Sequence, residues 1–162
     1  MTNIKEKIFI YNQKKSLDKL KKKFYQKKIV FTNGCFDLLH KGHIDYLQLS
    51  KNLGDILVVG LNSDISVKKN KGLNRPICDI NSRSFVLASL IMVDFVVIFN
   101  EITPENLIKD LKPDILVKGK DYKKEQIIGG DFILKNGGDV KTIKFTKGYS
   151  TTKIIERILS LK

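Results

Sequence analysis

Ile29-Val30-Phe31-Thr32-Asn33-Gly34-Cys35-Phe36-Asp37-Leu38-Leu39-His40-Lys41-Gly42-His43 opens on apolar, largely β-branched residues and closes on a turn holding both histidines of the chain. The opening reads as a buried strand ended by Gly34. The turn beyond it feeds a helix that starts near Gly42, so imidazoles and unsatisfied helix amides converge at a strand's carboxyl end. A spot of that kind accepts anions, phosphates above all.

Working outward, four more short apolar runs at 55–61, 94–99, 114–118 and 140–145 alternate with longer amphipathic stretches. Strands buried on both faces by crossover helices have this pattern. The fold expected is α/β: a single Rossmann-like domain with a mostly parallel five-stranded sheet (29–33 and the four runs) and helices on both faces. Thr103-Pro104-Glu105 marks a helix over 104–111, Gly137-Gly138 stops another near Lys135, and Ser150-Thr151-Thr152 opens a last one. In that last helix Ile154, Ile155, Ile158 and Leu159 form an apolar stripe. The polar connection 62–76 reads as a mobile loop over the site.

At 162 residues and 42% hydrophobic content the chain suits one core. Residues 1–28 read as a basic amphipathic helix segment ahead of a domain at 29–162, because Leu17, Leu20 and Phe24 recur at helical spacing among lysines. The net charge of +13 comes almost wholly from lysine. Nucleic acid is not the expected partner, since Phe and Tyr fall on apolar faces instead of interleaving with the cations. Cys35 and Cys78 are too few for a disulfide framework. With no signal-peptide pattern ahead of Lys28, and with the apolar stretch 86–99 too short for a bilayer, the chain reads as cytoplasmic and not membrane-bound. That stretch also leaves room for a homodimer contact.

Ligands of open parallel sheets sit outside the carboxyl ends of the strands. Polar residues gather at four such ends: Asn33 with the histidine turn, Asn62-Ser63-Asp64, Lys118-Gly119-Lys120-Asp121-Tyr122, and Gly148-Tyr149-Ser150-Thr151-Thr152. Two helix starts would then hold one polyphosphate from opposite sides. Other readings stay open. His40 and His43, with Asp37 or Asp45, offer a metal set lacking a third histidine. Cys35 beside an imidazole offers a nucleophile without a marked orienting group. Ser150-Thr151-Thr152 serves equally as a plain helix cap, and Lys71 and Arg75 as solvated charges.

On these residues the chain resembles the nucleotidyltransferase superfamily with an H-x-G-H signature, and within it the adenylyltransferases of D-glycero-β-D-manno-heptose 1-phosphate. The likeness is strongest from Ile29 to His43. It continues through Asn62-Ser63-Asp64, Lys71-Gly72, Arg75-Pro76, Val93-Asp94, Thr103-Pro104, Pro113-Asp114, Val117-Lys118-Gly119, Asp121-Tyr122, Gly137-Gly138 and Ser150-Thr151-Thr152. Related cytidylyltransferases have arginine where Phe145 stands and glutamate where Lys147 stands. Tyr149 replaces a frequent cysteine of the heptose enzymes, and Lys120 a frequent glycine. Members often carry a sugar kinase domain ahead of this one; here a short lysine-rich helix precedes the first strand, so a stand-alone transferase served by a separate kinase is the expectation.

The resemblance implies attack of a sugar 1-phosphate on the α-phosphorus of ATP, giving an ADP-sugar (ADP-heptose) and pyrophosphate, with Mg²⁺ carried on the ATP phosphates. It implies His40 and His43 as catalytic. Asn33, Gly34, Cys35, Phe36, Asp37, His43, Lys118, Gly119, Asp121, Tyr122, Ser150, Thr151 and Thr152 would border the nucleotide, and Asp64, Lys71 and Arg75 the sugar phosphate. No metal ligands are assigned to the protein. The alternatives are a cytidylyl- or guanylyltransferase acting on glycerol 3-phosphate or another phosphorylated acceptor, and a basic nucleic-acid-binding module without catalysis.

Overall fold

Alternate residues of a strand face opposite sides of a sheet, and here both sides are apolar. Val30, Leu57, Val59, Val96, Ile115 and Val117 pack into one buried cluster. Their neighbours Phe31, Val58, Val97 and Leu116 pack into the other. The computed structural model describes residues 3–12, 14–119, 127–146 and 148–161. Its strands are β1 (Ile8–Ile10), β2 (Ile29–Gly34), β3 (Ile56–Asn62), β4 (Phe95–Phe99), β5 (Ile115–Gly119) and β6 (Asp139–Ile143). They form one parallel sheet in the order β1-β4-β3-β2-β5-β6. The described helices are α1 (Asp18–Lys21), α2 (Lys41–Lys51), α3 (Asp64–Lys71), α4 (Ile80–Ala88), α5 (Glu105–Leu111), α6 (Gly130–Lys135) and α7 (Thr151–Leu159).

The sheet has six strands where five were expected. The added one, β1, lies inside the 1–28 segment and pairs Ile8 with Val96 and Ile10 with Ile98. Three residues set among polar neighbours carry too short an alternation to read as a strand. The rest of that segment is not one helix but a 3-10 turn at Ile4–Lys7 and then α1 flanked by 3-10 turns at Lys14–Leu17 and Lys22–Phe24. Its spacing still does what the periodicity requires: Leu17 and Leu20 are fully buried beside Phe24 in the core. Burying each leucine contributes about 2 kcal/mol.

Three expected strands began at an aspartate; all three observed ones begin a residue later. Each carboxylate instead accepts a backbone N–H from a neighbouring segment: Asp55 from Lys28, Asp94 from Leu57 and Asp114 from Ile29, each at 2.7 Å. These bonds satisfy strand-start amides and pin the register. The expected loop over 62–76 holds a helix, α3, because Ser63 accepts the Ser66 N–H at its N-terminus and Val67 is fully buried. Pro104 is the N-cap of α5 rather than its first residue. The apolar stripe of α7 is only partly covered, with Ile158 and Leu159 exposed.

Successive connections run from β2 outward through β3 to β4, then return across the sheet to β5. The order reverses between β2 and β5, and that is where an open parallel sheet forms its ligand crevice. The last residues of these strands, Asn33-Gly34 and Lys118-Gly119, stand side by side at that point.

Candidate active site

His40 caps α2 in an extended conformation, and its carbonyl accepts the His43 N–H at 2.9 Å. One helical turn brings the two rings into a stack, with centroids 3.9 Å apart and planes inclined by 19°. Phe36 covers His43 at 5.3 Å and Tyr149 flanks His40 at 6.3 Å. The glycine of the motif leaves little room for a side chain. A Cβ on Gly42 would lie 3.1 Å from His40 Nδ1 and 3.3 Å from the Tyr149 Cβ.

Burial first, then the neighbouring His40 ring, pushes the His43 imidazole down to about 4. Burial also lowers His40. Both rings are therefore neutral at pH 7, able to donate one N–H each without bringing a charge. Among the described residues the buried Nδ1 atoms of His40 and His43 have no hydrogen-bond partner. Leaving such nitrogens unsatisfied costs free energy.

Between β2 and α2 the chain makes a constrained turn. Phe36 adopts φ 42°, a left-handed conformation uncommon for a bulky residue. Its ring folds back so that a Cβ on Gly34 would meet it at 3.0 Å. Asp37 follows, with a side chain only 1% exposed. Its carboxylate accepts from Arg75 Nε at 2.8 Å and from the Ile77 and Cys78 amides at 2.9 Å. The loop after α3 is thereby fastened to the turn.

A cavity of about 580 Å³ opens above the strand ends. Asn33, Gly34, Cys35, Phe36, Asp37, His43, Lys71, Arg75, Lys118, Thr151 and Thr152 all line it. Lys118 Nζ donates to Asn33 Oδ1 across the β2–β5 gap. Gly119 lines an adjoining recess of about 180 Å³ with Tyr46 and Phe145. The two turns that the sequence places at opposite ends of the chain meet directly, since Thr151 Oγ1 donates to the Leu38 carbonyl at 3.2 Å.

Other sequence-derived candidates stand elsewhere. Ser150 is the cap of α7, its hydroxyl accepting from the Lys153 amide at 3.1 Å, and it lines a separate surface recess. His40 borders the cavity only through its stack on His43. Asp64 is not among the lining residues: it pairs with Arg83 at 2.6 Å and accepts the Ile80 amide. Asp121 and Tyr122 lie outside the described residues. The carboxylates considered for a metal set are engaged, Asp37 as above and Asp45 with Lys41 and Thr146. Asn70, Ile102, Thr103, Ile127 and Ile128 also line the cavity without having been singled out as ligand-facing side chains, and so does Asn62, which the strand-end reading had placed at the rim. Asn62 sits at the end of β3, so the strand-end rule reaches it. Asn70 and Ile102 carry no such signal, and it is the Asn70 amide donating to the Ile102 carbonyl at 3.1 Å that brings them together.

A parallel sheet with its order reversed at β2, an H-x-G-H turn at that point and a threonine-bearing helix start facing it define a nucleotidyltransferase. The model of the Cytidylyltransferase-like family matches residues 31–157, and the chain belongs to that family. The Bifunctional protein HldE of Helicobacter pylori (strain ATCC 700392 / 26695) is 57% identical over 143 residues, 88% of this chain and 30% of that protein. Its namesake from Campylobacter jejuni subsp. doylei is 54% identical over 153 residues, 94% of this chain and 32% of that protein. The chain thus spans about a third of the length of these curated relatives. A crystal structure of the lipopolysaccharide core biosynthesis protein from Thermoplasma volcanium GSS1 matches with a TM-score of 0.60 and 36% identity, covering 76% of this chain and 99% of that one. Pantoate-beta-alanine ligase from Francisella tularensis, at 19% identity and a TM-score of 0.60 over 94% of this chain and 78% of its own, shares the fold.

Proposed function

We propose that this chain transfers the adenylyl group of ATP to a sugar 1-phosphate, D-glycero-β-D-manno-heptose 1-phosphate, forming ADP-heptose and releasing pyrophosphate. The observation that carries this reading is His43, held neutral by burial and lining one cavity together with Lys118, Thr151 and Thr152. An acceptor phosphate is already ionised at neutral pH and so is the leaving pyrophosphate, so neither a strong base nor a covalent nucleophile is needed. What the protein supplies is in-line placement and donors for crowded charge.

An oxygen of the acceptor phosphate attacks the α-phosphorus while the bond to the β-phosphate oxygen breaks. His43, oriented by the His40 stack, donates to the α-phosphate or departing oxygens, together with amides of the 34–36 turn. Asn33, Lys118, Gly119, Thr151 and Thr152 border the nucleotide, as do Asp121 and Tyr122 by family resemblance. Lys71 and Arg75 face the acceptor phosphate across the same cavity. Mg²⁺ arrives as part of the nucleotide substrate and offsets its phosphate charge.

The lipopolysaccharide relative and the HldE relatives support a role in surface-polysaccharide synthesis. The free thiols of Cys35 and Cys78 suit a reducing cytoplasm. Among the described residues no helix is long and apolar enough to cross a membrane. Exposed Phe85, Val86 and Ile91 support a homodimer through this apolar region, which sedimentation at assay concentration checks.

A panel of ATP, CTP and GTP against heptose 1-phosphate, other sugar 1-phosphates and glycerol 3-phosphate, read by pyrophosphate release, tests the assignment. ATP with heptose 1-phosphate is expected to give the highest kcat/KM. Faster turnover of CTP with glycerol 3-phosphate overturns it.

A further inference from the structure

Arg83, in the middle of α4, has a side chain with no solvent exposure. Burying a guanidinium is costly unless every donor and the charge are answered. Here Nη1 donates to the Cys35 carbonyl at 2.6 Å, Nε to the Cys78 carbonyl at 3.0 Å and Nη2 to Asp64 Oδ1 at 2.6 Å. One planar fork therefore grips the turn after β2, the loop before α4 and the first residue of α3.

The grip on Cys35 matters for the cavity. In a trans peptide the carbonyl and the following N–H point in opposite directions. With the Cys35 carbonyl drawn toward Arg83, the Phe36 N–H is turned away from α4. Among the described residues that N–H donates to no acceptor. Cys35 and Phe36 both line the cavity, while Arg83 does not. Phe36 is also the residue held at φ 42°, a conformation that persists only where the surroundings over-determine it. Arg83 restrains the peptide before it and the Asp37 carboxylate the one after.

We infer that Arg83 is a positioning residue for nucleotidyl transfer: it acts through the Cys35 carbonyl to aim the Phe36 amide at the phosphate that reacts, with Asp64 as its counter-ion. This rests on the transferase reading of the cavity. It assigns Asp64 to the support of Arg83 in place of contact with the acceptor.

The test compares wild type with Arg83→Lys, Arg83→Ala and Asp64→Asn by pyrophosphate release, by the KM of each substrate and by thermal melting. A displaced donor costs on the order of 100-fold in turnover. Arg83→Lys is expected to lower kcat by about that factor while the acceptor KM stays within about threefold, a split that simple loss of stability does not produce. Millimolar guanidinium added to Arg83→Ala is expected to restore kcat in a saturable way, as a cation that refills the slot. Asp64→Asn is expected to lower kcat with the acceptor KM unchanged. A folded Arg83→Lys with kcat near wild type overturns the inference, as does an Asp64→Asn whose only defect is a raised acceptor KM. Should the arginine variants fail to fold, Asp64→Asn decides alone. An inactive wild type across the whole substrate panel refutes the transferase reading instead, so the two failures are distinguishable.

Discussion

Replacing Asp37 with asparagine removes one charge and no volume from the best-buried carboxylate of the site. The carboxylate takes Arg75 Nε at 2.8 Å and the Ile77 and Cys78 amides at 2.9 Å. Asparagine keeps one acceptor oxygen and turns an NH₂ toward groups that are themselves donors. At least one buried amide then loses its partner, at about 1–3 kcal/mol. Breaking a buried ion pair costs about 3–5 kcal/mol, but Arg75 is 21% exposed and can rehydrate. The sum falls at the lower end, about 3 kcal/mol, or a melting temperature lower by about 6–12 °C for a chain of this size. Urea unfolding followed by circular dichroism measures it, with a lowered midpoint at unchanged slope. The same variant frees the 72–79 loop, so the acceptor KM rises. A loss below about 0.5 kcal/mol, the range of ordinary surface substitutions, refutes the claim that Asp37 fastens this loop.

His43→Ala is expected to fold normally and to lose about 100-fold or more in kcat, with near wild-type turnover defeating the assignment. The chain has only two histidines, so an NMR titration of their ring protons is simple to read. His43 in the folded protein is expected to titrate near pH 4, and a midpoint at its ordinary value contradicts the buried, stacked geometry. Since the unfolded chain takes up this proton first as pH falls, stability from His43 is intact above about pH 6.5 and declines toward pH 4. Leu20→Ala is expected to cost about 2–5 kcal/mol in urea unfolding, because Leu20 is fully buried in the core. A negligible loss means that the segment ahead of β2 is an appendage rather than part of the fold.

The strand centres were legible because Val30-Phe31, Leu57-Val58 and Leu116-Val117 are apolar on both faces, which only a doubly covered strand requires. The strand starts were not, since Asp55, Asp94 and Asp114 look like first residues until their carboxylates are seen bonded to neighbouring segments. β1 stayed hidden because Ile8-Phe9-Ile10 is stabilised by Val96, Val97 and Ile98, far away in the chain. In the site, the histidine turn and the threonines announced themselves by local chemistry. Asp64 reads from the sequence as a strand-end ligand position, and nothing nearby in sequence reveals that it pairs with Arg83.

By itself the sequence determined the α/β alternation, the turn that carries His40 and His43 and the helix start at Thr151, because each rests on periodicity or capping between near neighbours. The tertiary structure alone decided that those two turns meet at one cavity, that burial holds both imidazoles below their ordinary titration range, and that Asp64 pairs with Arg83. Each of these depends on distances between residues separated along the chain and on the water excluded around them. Local pattern carries neither quantity; closing the sheet creates both.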